Sequence, residues 1–233
     1  MLYRILAFHN YFTCCLQVMC HTCIIMNAIS EPRLAPPGAG LPKIELFIGR
    51  LIFRRRLGAG TRESFNADFK RERERISNLY RNCDPEAAAR RVLIKRLRGM
   101  EDSSRNWSVW MTLDHLRMVN RAIAHNIDRL SRGAVPKVVA STAAVKPSPR
   151  ADASVTAEYE SSCESVLEAA EAATELKTKA RYAHPWFGSM DAFGWHALSG
   201  YHMGLHRVQM ELIIEGLRGM PPMKPFAHAV HSA

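Results

Sequence analysis

DAFGWHALSGYHMGLHRVQMELIIEGLRG, residues 191–219, reads as one long helix, and that reading sets the fold class. Asp191 stands where an N-cap acceptor belongs, and Gly219 stands where a helix stops. Trp195, Leu198, Leu205 and Ile213 fall on or beside one stripe of this helix, and His202 and His206 share the stripe. Positions i and i+4 lie nearly above one another on a helix, so both imidazoles aim at one point on the buried side. Two imidazole nitrogens at about 2.0–2.1 Å are what zinc or a similar divalent ion takes from such a pair. Gln209 follows on the same side, three residues beyond His206.

Upstream, helical periodicity recurs. From Thr61, apolar residues fall at Phe65, Phe69, Ile76, Leu79 and Tyr80, with KRERER on the wet side. NCDPEAAARRVLIKRL (82–97) begins with an Asp-Pro start signal and predicts a second, short helix. NWSVWMTLDHLRMVNRAIAHNIDRLSRG (106–133) predicts a long helix with Arg129 and Arg132 near its C-terminal end, where cations suit the helix dipole. EDSSRNW (101–107) supplies its cap, with structural Ser and Asp residues. AEYESSCESVLEAAEAATELKTKA (157–180) is helical by propensity, with Val166, Leu167, Ala170 and Leu176 on its apolar side. Between the last two segments, residues 134–155 are rich in Ala, Ser, Val and Pro, as in a long crossover or mobile linker. RYAHPWFGSM (181–190) reads as a loop, and KIELFIGRLIFRRRLG (43–58) as a surface helix or strand lying on the core. No segment reads as a convincing strand. The expectation is an all-α four-helix bundle over residues 43–219, with an extension at 1–42 and a loose tail at 220–233.

Two histidines do not complete a catalytic metal site, which usually takes three protein ligands and keeps one position open. His115 is the candidate third ligand. Met111, Met118, Val119 and Ala122 lie at i−4, i+3, i+4 and i+7 from it, so it faces inward. His125 leaves that face, His196 lies nearly opposite His202, His184 sits in the loop, and His228 and His231 sit in the tail. Asp114 adjoins His115 but points about 100° away, a poor position for a base. Spacing leaves two readings open: metal ligands, or hydrogen-bonded histidines of the core.

Composition bounds the rest. The chain is 47% hydrophobic and 23% charged, enough for a core, and carries a net charge of +10. Residues 42–132 hold 21 Lys/Arg against 11 Asp/Glu and so account for the whole excess. That imbalance fits an anionic partner or a solvated basic surface. No nucleic-acid reader motif or aromatic platform accompanies it, which disfavours nucleic acid. Four of six cysteines crowd into residues 14–23, no disulfide framework, so the default compartment is reducing and cytoplasmic. CHTC (20–23) lacks the partners that would make it a haem or zinc motif. Residues 1–30 carry a single charge, Arg4, yet polar residues interrupt the apolar run expected of a signal peptide or membrane span. One reading starts translation at Met26; another makes residues 5–30 a membrane attachment. Walker A, GxGxxG, GxSxG and HExxH motifs are absent.

WSVWMTLDHLRMVN followed by HPWFGSMDAFGWHALSGYHMGLHRVQ resembles the DinB/YfiT-like superfamily over roughly residues 61–219. There a W-S…HL helix supplies one histidine, and a final helix, reached through an HPxFG loop and a tryptophan, supplies an H-x3-H pair with a Gln three residues after. The resemblance implies a four-helix bundle holding a divalent metal, zinc or nickel, on His115, His202 and His206. It also implies a metal-dependent enzyme acting on a small-molecule substrate: a thiol-dependent transferase, an isomerase or a hydrolase, with a low-molecular-weight thiol as cosubstrate. Trp107, Met111, Trp195 and Gln209 are the candidate pocket residues. Alternatives from other classes are a non-catalytic metal-stabilised bundle acting through a partner, and an anion or nucleic-acid binder using the basic segment. Homodimer formation through exposed helix faces is compatible with such bundles. Segment 43–58, the 134–155 crossover and the N-terminal extension depart from the compact family pattern.

Overall fold

A computed structural model describes residues 32–220. The expectations placed on residues 1–31 and 221–233, including the start at Met26, the membrane attachment and most of the loose tail, lie outside the described residues. The chain divides between Arg33 and Leu34, and every element below belongs to the unit that starts at Leu34.

Six α-helices are present among the described residues: α1 Lys43–Ala59, α2 Arg62–Arg81, α3 Pro85–Ala88, α4 Val109–Ser131, α5 Val155–Ala172 and α6 Ala192–Arg218. The four long helices α2, α4, α5 and α6 form the bundle. α4 packs on α5 and α6, α6 packs on α2, and α2 closes the ring against α5. The apolar spacing read from the sequence becomes the core. Phe65, Phe69 and Ile76 of α2, Leu116, Ile123 and Ile127 of α4, and Met203, Met210 and Ile213 of α6 are all essentially inaccessible. Each such side chain contributes about 1.5–3 kcal/mol by leaving water.

Helix starts follow their local chemistry. Thr61 and Ser64 form a reciprocal capping box at α2. The Asp191 carboxylate accepts from Gly194 N at α6, at 2.9 Å. For α4 the cap is Ser108, whose hydroxyl accepts from Met111 N, not a residue of 101–107. Residues 102–104 instead make a 3-10 turn.

Four short strands correct the strand-free expectation. β1 Val92–Leu93 pairs antiparallel with β2 Asn106–Trp107, and β3 Tyr182–His184 pairs with β4 Gly188–Met190. Segments of two or three residues show no alternation that a sequence pattern can register. Thus the helix expected across 82–97 is the four-residue α3, capped by Asp84, before the chain turns extended. The loop expected at 181–190 is a hairpin turning at Pro185–Phe187, with Gly188 at φ 76°. α5 ends at Ala172, so Leu176 is buried from the following loop and not from the helix. Segment 43–58 is helical, and only Phe53 of α1 is buried.

Candidate metal centre

His115 comes from the second turn of α4, His202 and His206 from the middle of α6, and the packing of these two helices brings them together. One ligand-capable atom from each lies within 4.8 Å of those of the other two. Ring centroids are separated by 5.1 Å for His115–His202, 4.5 Å for His115–His206 and 4.4 Å for His202–His206. His115 and His206 are buried, whereas His202 keeps part of its surface toward a cavity.

Hydrogen bonds fix two of the three tautomers. His115 Nδ1 donates to the Val145 carbonyl at 2.6 Å, which leaves its Nε2 an unprotonated acceptor. His206 Nδ1 donates to Gln209 Oε1 at 2.7 Å, while Gln209 Nε2 donates to the Ser104 carbonyl at 2.7 Å. This orients the amide and frees His206 Nε2. His202 has no such lock: its Nδ1 is buried without a partner, and its Nε2 faces His115 Nε2 at 3.2 Å. Burial holds the His115 imidazole down at about 4, against the smaller opposing effect of its bond to Val145. Burial, and then the neighbouring imidazoles, hold His202 well below the ordinary histidine range. His206 is lowered by burial and His115, which outweigh its bond to Gln209. All three are therefore neutral donors at neutral pH, the protonation state that metal ligation needs. Neutral imidazoles from two helices, two of them with Nε2 unprotonated and turned to the cluster, fit a divalent ion.

The histidines sit at one side of a cavity of about 650 Å³ with predominantly apolar walls. Trp195 and Leu198 line it from α6, Trp107 from β2, and Trp186 from the β3–β4 turn. Trp107 stacks on His206 with planes 7° apart and centroids 6.0 Å apart. The crossover expected at 134–155 forms another wall with residues 135–142 and 144–146, and through Val145 it orients His115. The crossover is thus seated on the bundle, tied down where Ser148 N donates to Asp114 and where the Tyr182 hydroxyl donates to the Val138 carbonyl. Asp114 is also paired with Arg117 at 2.7 Å, so it organises structure and is not placed as a base.

Of the expected pocket residues, Trp107 and Trp195 line the cavity. Met111 does not: it is buried in the core, one turn above His115. Gln209 lies behind His206, not on the wall, because its amide bridges to Ser104. His196 is buried away from the cluster, bonded to Asn66 Oδ1 at 2.9 Å. Sequence reading missed Val145, Trp186 and His184. Val145 acts through a backbone carbonyl, which no side-chain pattern reveals. His184 lines the cavity and its Nδ1 accepts from Trp186 N, a turn-fixing role for which the Pro185 signal was the only pointer. Part of the basic segment is engaged in ion pairs, among them Arg56–Asp68, Arg73–Glu160, Arg96–Glu45 and Arg117–Asp114.

No protein-family model matches the chain, and no curated protein matches it. Among solved structures, the chain is similar to a crystal structure described as a four-helix bundle protein, at 21% identity and a TM-score of 0.47, over 65% of this chain and 98% of that one.

Proposed function

We propose that the chain is a divalent-metal-binding protein of the DinB-like type, and that His115, His202 and His206 hold zinc or nickel at the floor of a small-molecule site. The observation that carries this reading is the convergence of three neutral imidazoles, two of them tautomer-locked, beside an apolar cavity. A divalent ion on three imidazoles with an open position stabilises a thiolate or polarises a carbonyl at neutral pH, the chemistry of a thiol-dependent transferase, isomerase or hydrolase. Val145 and Gln209 orient the ligand rings. Trp107, Trp195 and Trp186 offer flat apolar surface to a substrate and restrict water around the imidazoles.

Elemental analysis of the purified chain and of His115→Ala, His202→Ala and His206→Ala variants tests the site. The expected result is about one divalent ion per chain in the parent, lost in each variant. A parent that stays metal-free after reconstitution with zinc and nickel would falsify the reading, and the histidines would be polar core residues. With metal established, titrating small thiols into cobalt-substituted protein and following the thiolate charge-transfer band separates the two metal readings. A band supports thiol-dependent chemistry. Its absence favours a metal-stabilised bundle that works through a partner.

A further inference from the structure

α1 has an outer face that stays exposed among the described residues. Ile44, Phe47, Ile48, Leu51 and Ile52 recur at helical spacing along it and are between 48% and 75% exposed. The inner face is fully used. Phe53 packs on Phe187 at 4.6 Å and on Tyr201 at 6.1 Å, and Arg56 bonds Asp68 and the Ala197 carbonyl. Five large exposed apolar side chains in one stripe exceed the scattered apolar residues of an ordinary surface and mark a docking face.

Charge identifies what docks. Lys43, Arg54 and Arg55 are exposed beside the stripe and have no carboxylate partner among the described residues. The acid of α1, Glu45, is already taken by Arg96 and by Gly99 N. A second copy laid antiparallel on this stripe would bring Arg54 and Arg55 toward the other copy's Lys43, with no free carboxylate on either helix to compensate. An anionic phospholipid surface satisfies both features, since the apolar stripe enters the acyl boundary while the cations meet phosphates. No helix among the described residues is long and apolar enough to cross a membrane, and a helix with an apolar stripe flanked by cations docks by lying in the interface plane. We propose that α1 docks the protein on anionic membrane surfaces through Ile44, Phe47, Ile48, Leu51 and Ile52, flanked by Lys43, Arg54 and Arg55. The proposal is independent of the metal centre.

The test is co-sedimentation of the full chain with phosphatidylglycerol/phosphatidylcholine vesicles and with phosphatidylcholine vesicles. Two double variants are compared: Ile48→Glu with Leu51→Glu, and Arg54→Glu with Arg55→Glu. All four positions are exposed, so both variants should keep the parent's circular dichroism and thermal midpoint. The expected result is binding to the anionic vesicles alone, weakened at least roughly 25-fold by the arginine reversals and abolished by the glutamates in the stripe. Binding that the stripe variant leaves unchanged overturns the proposal, because attachment then lies elsewhere in the chain or is purely electrostatic. A parent that is dimeric by sedimentation velocity, becomes monomeric in the stripe variant and ignores vesicles also overturns it, and makes the face a contact between copies.

Discussion

His115 Nε2 and His202 Nε2 lie 3.2 Å apart, although 87 residues separate them in the chain. His115 is buried and His202 borders the cavity, and desolvation is the chief cause that lowers both imidazoles. A cation held by both nitrogens would replace that contact, and its binding would then be coupled to fold stability.

Zinc at about a hundred-fold excess over its dissociation constant is expected to raise the thermal midpoint of the parent by about 5–10 °C. The rise should vanish in His206→Ala. Differential scanning calorimetry of metal-free and zinc-loaded samples checks this. An equal rise in the variant would place zinc binding outside the three histidines.

Gln209→Leu removes the acceptor that fixes the His206 tautomer and the donor to the Ser104 carbonyl. Metal affinity is expected to fall about 10–100-fold with the stoichiometry retained. Competition against a chelator of known affinity measures the change, and Trp107, stacked on His206, provides a fluorescence readout. Unchanged affinity would mean that packing alone orients His206.

His196 sets an acid limit on stability. Its Nε2 donates to Asn66, its Nδ1 is buried without a partner, and burial lowers it to about 4. The unfolded chain binds this proton near pH 6.5 while the folded chain does not. Stability is therefore full above about pH 6.5 and declines as pH falls toward about 4, by up to roughly 3 kcal/mol from this residue. Urea unfolding of parent and His196→Gln at several pH values checks it, the variant being expected to show a shallower decline.

Glu160 of α5 accepts from Ser77 and Tyr80, each at 2.8 Å, and pairs with Arg73 at 2.7 Å. Burial raises its carboxyl, but these three donors prevail and hold it below the usual carboxylate range. Glu160→Ala leaves those α2 groups without their acceptor and is expected to cost about 2 kcal/mol. The shift of the urea midpoint measures this. An unmoved midpoint would show that water replaces the carboxylate at no cost.

Gly60 joins α1 to α2 where a β-carbon would stand 2.1 Å from Phe65 Cζ. Phe65 is 2% exposed and packs on Phe193 and His196, so it has little room to retreat. Gly60→Ala is expected to destabilise by about 1–3 kcal/mol. Thermal unfolding of the variant checks the value.

The sequence by itself determined the long helices and the inward face of each candidate ligand. Helical periodicity and caps are local, and they place Phe65, Phe69 and Ile76 in the core and Thr61 and Asp191 at helix starts. The i, i+4 spacing put His202 and His206 on one face before any packing was known. Tertiary structure alone decided what lies behind and around them. The Val145 carbonyl on His115, the Ser104 carbonyl on Gln209 and the pairing of Val92 with Trp107 are backbone contacts between distant segments. Met111 showed the same limit: its inward stripe is legible, but only packing decides that it enters the core and not the cavity wall. The outer stripe of α1 was legible as apolar yet not as exposed, because helix periodicity says which residues share a face and only packing says which face is left to water.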